Sequence, residues 1–130
     1  MPEAEDVDEL IAIINMEECY RRRTVRGRDL NDWHLQLEAW RRIGNFEAML
    51  QLLGEIIVAT EQLEQYDDRE PQPYWHEQKA KLHRKRHEYQ EEAAVLALWL
   101  AHWPLERDRF DQARERIVAR LAELHREALV

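Results

Sequence analysis

Two apolar stripes at helical spacing, separated by a single Gly-Asn step, constrain the fold of this chain more than any other feature. The stretch Trp33–Glu64 reads WHLQLEAWRRIGNFEAMLQLLGEIIVATEQLE. The apolar positions before the step are Trp33, Leu37, Trp40 and Ile43, and those after it are Phe46, Met49, Leu50, Leu53, Ile56, Ile57, Thr60 and Leu63. Intervals of three and four residues are typical of amphipathic helices, whereas strands alternate. Because glycine suits the left-handed position after a helix and asparagine caps the next one, the stretch predicts a helical hairpin turning at Gly44 and Asn45.

The N-terminal part of the chain predicts a first helix that begins within residues 6–8 and ends in the arginines before Gly27. Its apolar residues occupy more than one stripe, so we expect this helix to be buried on two sides. They are Val7, Leu10, Ile11, Ile13, Ile14, Met16 and Tyr20. Asp29 or Asn31 is expected to cap the second helix, which opens the hairpin.

The C-terminal half predicts two more helices after a charged, proline-containing linker at Asp67–Pro73. The fourth helix is predicted to continue to His102, with one residue of a single seam in every seven. That seam consists of Trp75, Leu82, Tyr89, Leu96 and Trp103. Because His76–Glu92 is otherwise polar, we expect it to be a contact surface outside the core, whereas Ala93–Trp103 should lie inside it. Pro104 ends the fourth helix and opens a fifth.

Composition supports one all-α domain over residues 1–130, with an acidic tail at residues 1–6. The chain is 45% apolar and has three glycines and four prolines, which favours about five long helices in a bundle or in stacked hairpins. The single cysteine, Cys19, suggests a reducing compartment, and we expect a cytoplasmic protein. The longest apolar run, Ala93–Ala101, is too short to cross a bilayer, so no membrane partner is expected.

The hairpin resembles a tetratricopeptide repeat, a helix–turn–helix unit with a period of 34 residues. The residues that carry the resemblance are Trp33, Trp40, Gly44, Asn45, Phe46 and Leu53. Met49 and Ile56 stand where the family usually has small alanines, and no proline closes the unit. The resemblance covers about a quarter of the chain and implies a repeat-like helical hairpin.

Two groups of residues raise the question of metal chemistry. His76, His83 and His87 are seven and four residues apart, and two histidines one helical turn apart can hold zinc or nickel. Their basic surroundings favour a solvated charged face instead, so no metal or cofactor is expected. The pairs Glu61/Glu64 and Glu88/Glu91 resemble the magnesium-binding acidic pairs of MazG-like nucleotide pyrophosphatases. That resemblance implies hydrolysis of nucleoside triphosphates with Mg²⁺ held by these carboxylates.

Charge is strongly segregated along the chain. The first 18 residues contain seven acids and no base. The whole chain has a formal charge of −8. Two basic clusters follow, at residues 20–28 and 79–87, each with an aromatic residue beside it. The candidate partner-binding residues are Arg21, Arg22, Arg23, Arg26, Arg28, Trp75, Lys79, Lys81, Leu82, Arg84, Lys85, Arg86 and Tyr89. The basic clusters could form ion pairs with acids of the same molecule, with acids of a protein partner, or with phosphates.

The sequence therefore predicts a small protein-interaction module without catalytic activity: an adaptor, a chaperone or an assembly subunit. A nucleic-acid-binding subunit of a larger complex is the first alternative, since the two basic clusters could contact phosphates. The MazG-like pyrophosphatase is the second. A protein partner is favoured because the chain is acidic overall, and a homo-oligomer stays open.

Overall fold

Helices dominate the part of the chain that the structure, a computed structural model, describes: residues 7–14, 23–67, 72–102 and 110–128, without the side chains of residues 64–67. The helices are α1 at residues 7–14, α2 at His34–Ile43, α3 at Phe46–Asp67, α4 at Tyr74–Lys85, α5 at Tyr89–Leu100 and α6 at Asp111–Ala128. Before α2 come two short strands, β1 at Thr24–Val25 and β2 at Arg28–Asp29, and a 3-10 helix at Leu30–Trp33. The predicted all-α fold class is confirmed. The acidic tail, most of the predicted linker and Pro104 lie outside the described residues.

The fourth helix predicted from the sequence is two helices, α4 and α5, so the described ranges hold six helices instead of about five. Between them His87 adopts the left-handed conformation, with φ of 61°. The amide of Glu88 donates to the carbonyl of His83 (2.9 Å), and the amide of His87 donates to that of Arg84 (3.0 Å). These two bonds form the Schellman pattern that ends a helix. Neither glycine nor proline marks this turn, and the periodicity therefore extended the predicted helix through it.

The predicted hairpin of α2 and α3 is confirmed, including its turn. Gly44 has φ of 73°, and its amide donates to the carbonyl of Arg41 (3.2 Å). The amide of Asn45 donates to the carbonyl of Trp40 (2.9 Å), and the Asn45 side chain accepts from the amide of Ala48 (3.3 Å). Glycine therefore ends one helix and asparagine caps the next. The tetratricopeptide resemblance of this hairpin stays a prediction.

Contacts between helix ends show that α3, α4 and α5 run antiparallel to one another. Near the start of α3, Glu47 forms an ion pair with Arg86, which directly follows α4 (2.6 Å). Near the end of α3, Glu61 contacts His76 in the first turn of α4. Glu61 also contacts His102, which follows α5, so α5 returns to the end of the molecule at which α4 begins.

The core lies between the helices, and α4 is part of it. The largest fully buried side chains are Trp75, Trp99, Leu52, Leu53, Ile56, Ile117, His76 and Glu92. Trp75 and Leu82 are only 1% and 7% exposed. The prediction that the polar half of the fourth helix stands outside the core is therefore wrong at its seam. The reason is that α4 folds back on α5 and packs against α3 on its other side.

Residues 23–29 form a strand hairpin that the sequence analysis did not predict. Arg26 and Gly27 have φ of 52° and 82°, which is the two-residue turn that matches the twist of paired strands. Asp29 caps the 3-10 helix by accepting from the amide of Asn31 (3.0 Å). The predicted cap of the second helix is therefore wrong for α2, because the 3-10 helix precedes α2 and the N-cap of α2 is Trp33, which makes no side-chain cap bond. The indole of Trp33 donates to the carbonyl of Val25 (3.0 Å) and ties the hairpin to α2.

Helix α1 differs from its prediction. The apolar residues of its described part, which were expected to be buried on two sides, are all 40–58% exposed. They are Val7, Leu10, Ile11, Ile13 and Ile14. The wide apolar pattern was therefore wrong as a sign of burial in this chain, and these residues form a surface without a covering element among the described ranges.

Candidate functional site

The arginines of the predicted basic cluster in α4 are engaged by acids of the same molecule. Arg84 contacts Glu92 (2.8 Å), and Arg86 contacts Glu47 and Glu88 (2.6 and 3.0 Å). These contacts neutralise the arginines, which reduces their attraction for phosphates or for acids of a partner.

The other basic cluster is engaged in the same way where the structure describes it. Arg23 contacts Asp29 (3.3 Å). Arg26 donates two hydrogen bonds to Glu55, and these bonds hold the pKa of Glu55 below its ordinary value. The guanidinium of Arg28 lies over the ring of Trp33, 5.2 Å from its centroid. Arg21 and Arg22 lie outside the described residues.

The fully buried carboxylate of Glu92, a residue that the sequence analysis did not single out, is held by two arginines. Its side chain is fully buried between Arg84 of α4 and Arg120 of α6, and Arg120 donates to both carboxylate oxygens (2.8 and 3.0 Å). Burial by itself raises the pKa of Glu92, but the hydrogen bonds from Arg120 and Arg84 outweigh it and hold the pKa below its ordinary value. Glu92 therefore fastens three helices together as an ionised carboxylate.

The predicted histidine series is divided between two structural contacts. His76 and His83 are 0% and 7% exposed, so the expected solvated face is wrong for both. His76 Nε2 donates to Glu61 (2.7 Å) and His83 Nδ1 donates to Glu88 (3.3 Å). Only His87 is exposed, where its ring contacts the hydroxyl of Tyr89 (2.8 Å). Among the described residues, no group of three or more His, Cys, Asp or Glu is arranged to hold a metal ion.

Glu61 and Glu88, one residue from each of the two predicted acidic pairs, do not meet. Glu61 contacts His102 just beyond the end of α5, whereas Glu88 immediately precedes the start of α5. A helix of 12 residues is about 18 Å long, so the two carboxylates stand at opposite ends of α5. A single Mg²⁺ ion with ligands at about 2.1 Å cannot be held by both.

A groove of about 450 Å³ between α2, α3 and α4 brings several of the predicted binding residues together. Buried or half-buried apolar side chains form its floor: Leu37, Phe46, Met49, Leu53, Trp75 and Leu82. At one end His34 stacks on Trp75, with ring centroids 5.0 Å apart, and Tyr74 packs beside them. Leu35, which is 86% exposed, stands at the rim.

The rim of this groove is cationic. It carries Arg41, Lys81 and Lys85 against one carboxylate, Glu38. Glu38 pairs with Arg41 (3.3 Å), whereas neither lysine has an ion pair within the described part of the chain. The ammonium of Lys85 lies over the ring of Phe46, 5.0 Å from the centroid. The groove thus combines an apolar floor with uncompensated positive charge on a protein whose net charge is −8.

The groove gathers four of the thirteen predicted binding residues: Trp75, Lys81, Leu82 and Lys85. Trp75 and Leu82 belong to its floor, while the two lysines face solvent. Lys79 lies against Gly54 and does not line the groove. Tyr89 lies in a separate apolar depression between α5 and α6.

Sequence reasoning missed the α2 side of the groove. Leu35 and Arg41 lie between the residues of the predicted inner stripe, and the sequence analysis did not single them out. Ile43 was placed on that inner stripe but is 76% exposed. An apolar residue on the polar face, as Leu35 is, was the available signal.

No helix in the described ranges combines the length and the apolar character needed to cross a bilayer. No protein-family model, no curated protein and no solved structure matches the chain.

Proposed function

We propose that this chain is a non-catalytic protein-interaction module that binds an acidic, amphipathic helical segment of a partner protein in the groove between α2, α3 and α4. The observation that carries the proposal is an apolar floor bordered by Lys81 and Lys85, which have no ion pair within the described residues. An adaptor or assembly subunit in the cytoplasm is the setting we propose, supported by the single cysteine.

The shape of the groove supports a helical ligand. Its walls are helices, and amphipathic helices commonly bind by laying apolar residues at i, i+3, i+4 and i+7 into such a groove. Leu35 extends the apolar surface at the rim on the α2 side of the groove. Isolated exposed apolar residues are ordinary, but one that lines an apolar groove favours an interface.

The charge pattern supports an acidic ligand over nucleic acid. Most described arginines of the two basic clusters contact acids of the same chain, which leaves a short cationic rim in place of an extended basic surface. Nucleic-acid binding by charge requires many simultaneous phosphate contacts. The rim suffices to orient an acidic helix, because opposite charges around an apolar contact fix specificity and increase the association rate.

The engagement of the candidate catalytic carboxylates supports a role without catalysis. Glu61 is bonded by two histidines, and Glu88 is bonded by His83 and Arg86. Carboxylates committed to such contacts would have to leave them before binding Mg²⁺.

A binding assay with a designed probe tests the proposal. The probe is a fluorescent peptide of about sixteen residues with apolar residues at i, i+3, i+4 and i+7 and glutamates at the other positions. We expect saturable binding by anisotropy, weakened about tenfold by Lys81→Glu/Lys85→Glu, since about 1.4 kcal/mol is what two exposed charge pairs supply.

The matched control is Lys79→Glu/Arg126→Glu, which changes the net charge equally at residues that do not line the groove. It should bind the probe as the parent protein does. Equal weakening by the control, or equal binding of a peptide with lysine in place of glutamate, would contradict the proposal. Submicromolar binding of a single-stranded oligonucleotide at physiological salt would favour the nucleic-acid alternative.

A further inference from the structure

Helix α1 is itself a segment of the kind that the groove is built to bind. Its residues Val7, Leu10, Ile11 and Ile14 recur at three- and four-residue intervals and share one face. All four are 40–58% exposed, and no other described element covers them. Asp8 and Glu9 flank this face, and the first 18 residues contain seven acids and no base. The segment is thus apolar on one side and strongly negative as a whole.

The two surfaces complement each other in three respects. The groove offers an apolar floor with the exposed Leu35 at its rim, and α1 offers an exposed apolar face. The groove rim carries Lys81 and Lys85, which have no ion pair with any residue that the structure describes, whereas the first 18 residues carry acids without bases. The groove and α1 also match in size, because a groove of about 450 Å³ accommodates the side chains of two or three helical turns.

We propose that α1 of one chain docks into the groove of a second copy of the same chain, so that two molecules exchange their N-terminal helices reciprocally. This inference rests on the proposed function, of which it names one partner. In the single chain, α1 does not occupy the groove of the same molecule, and the apolar residues of both α1 and the groove rim are exposed. When a surface of one copy binds a different surface of the next copy, the copies form either a closed ring or an open chain. Reciprocal exchange of α1 closes the assembly after two copies.

Docking in this way would also restrain the groove. A partner protein with an acidic helix would have to displace α1 of the second copy, so self-association and partner binding would exclude each other. The affinity for an external acidic peptide should then fall as the chain concentration rises into the range of dimer formation.

Light scattering coupled to size-exclusion chromatography on the full chain tests the inference. We expect twice the mass of one chain, at concentrations above the Kd measured for the acidic probe. Leu10→Glu/Ile14→Glu should yield the mass of one chain by removing the apolar face of α1. Lys81→Glu/Lys85→Glu should do the same by reversing the groove rim.

Two controls keep these variants interpretable. Ala12→Glu adds a carboxylate to the opposite face of α1, and Lys79→Glu reverses a lysine of α4 that does not line the groove. Both should remain dimeric. Mixing the α1 variant with the groove variant restores one intact α1 and one intact groove, so the mixture should recover the doubled mass. Circular dichroism should give the same helical signal for every variant.

The outcomes separate this inference from the proposed function. A full chain of single mass that binds the acidic probe overturns the exchange and leaves the groove's function standing. Probe binding that appears only in Leu10→Glu/Ile14→Glu, again at single mass, means that α1 docks in its own chain and likewise overturns the exchange. A mixture that stays at single mass overturns it as well. Failure of the probe to bind any variant removes the proposed function itself.

Discussion

Glu92 and His76 are polar residues on helix faces that otherwise pack into the core. Glu92 shares a face of α5 with Val95, Leu96 and Trp99, and His76 shares a face of α4 with Ala80. Both are fully buried, and both have partners of opposite or complementary character on neighbouring helices. Burial without these partners would cost several kcal/mol. Such residues therefore specify which helices must meet.

Replacing Glu92 by Gln should destabilise the fold by about 3 kcal/mol at neutral pH, because it leaves Arg120 and Arg84 without their carboxylate. It should also change the pH dependence. The folded-state pKa of Glu92 lies below its ordinary value of 4.5, so as the pH falls the unfolded chain takes up this proton first. The parent protein should lose this stabilisation as the pH falls through 4.5 and below, and the variant should not.

Urea unfolding at several pH values between 7 and 3 measures both effects. Glu91→Gln is the matched control, since Glu91 is the exposed neighbour of Glu92 on the same helix. It should leave both the stability and its pH profile close to those of the parent. Equal pH profiles for the parent and Glu92→Gln would contradict the account of the buried carboxylate.

The C-terminal ends of α2 and α4 share one backbone pattern, but only the end of α2 can be predicted from the sequence. Gly44 directly follows α2 and His87 lies two residues beyond α4, and both residues adopt the left-handed conformation. Gly44 could be predicted because glycine adopts positive φ without steric cost. His87 could not, since nothing in its side chain indicates positive φ and the seam of Trp75, Leu82 and Leu96 continues across it. The chain reverses there because α4 packs against α3. The apolar periodicity of a single helix carries no information about that packing.

Substitutions at these two ends should therefore have opposite effects. His87→Gly should stabilise the fold by up to about 1 kcal/mol, because it removes the cost of a left-handed side chain. Gly44→Ala should destabilise it by about 1 kcal/mol for the same reason. His87→Ala is the control, since it loses the contact with Tyr89 but keeps the strain, and it should not stabilise. Unfolding midpoints in urea measure all three, and a loss of stability in His87→Gly would contradict the assigned turn.

The same limit applies to the strand hairpin at residues 23–29. Its Arg-Gly turn is a weaker signal than Asn-Gly, and its strands have two residues each, too few for an alternating pattern. The hairpin is held by contacts with residues outside it, Arg26 with Glu55 on α3 and Val25 with Trp33 in the 3-10 helix. Sequence reasoning consequently assigned the class of fold and the central hairpin but not these local departures.

At the scale of the whole molecule, an excess of negative charge is combined with a small groove that has a cationic rim. Most arginines of the two basic clusters disappear into ion pairs, and the lysines at the groove rim remain. The sequence indicated Lys81, Lys85 and Trp75 as binding residues but did not predict that they line one groove. The groove forms only where α2 and α4 both pack beside α3. Its proposed role, and the exchange of α1 that it would permit, both depend on ligands entering at this one place.

The most direct test of that role is to map where the acidic probe binds, by ¹H–¹⁵N chemical-shift changes in the labelled full chain, with the probe in sufficient excess to displace α1 of a second copy from the groove. We predict that the largest changes concentrate on the amides of the groove walls, at Leu35, Phe46, Lys81 and Lys85. The strand hairpin around Arg28 and the depression beside Tyr89 should change little. Changes concentrated at Arg28 or Tyr89, with the groove amides unaffected, would contradict the central claim.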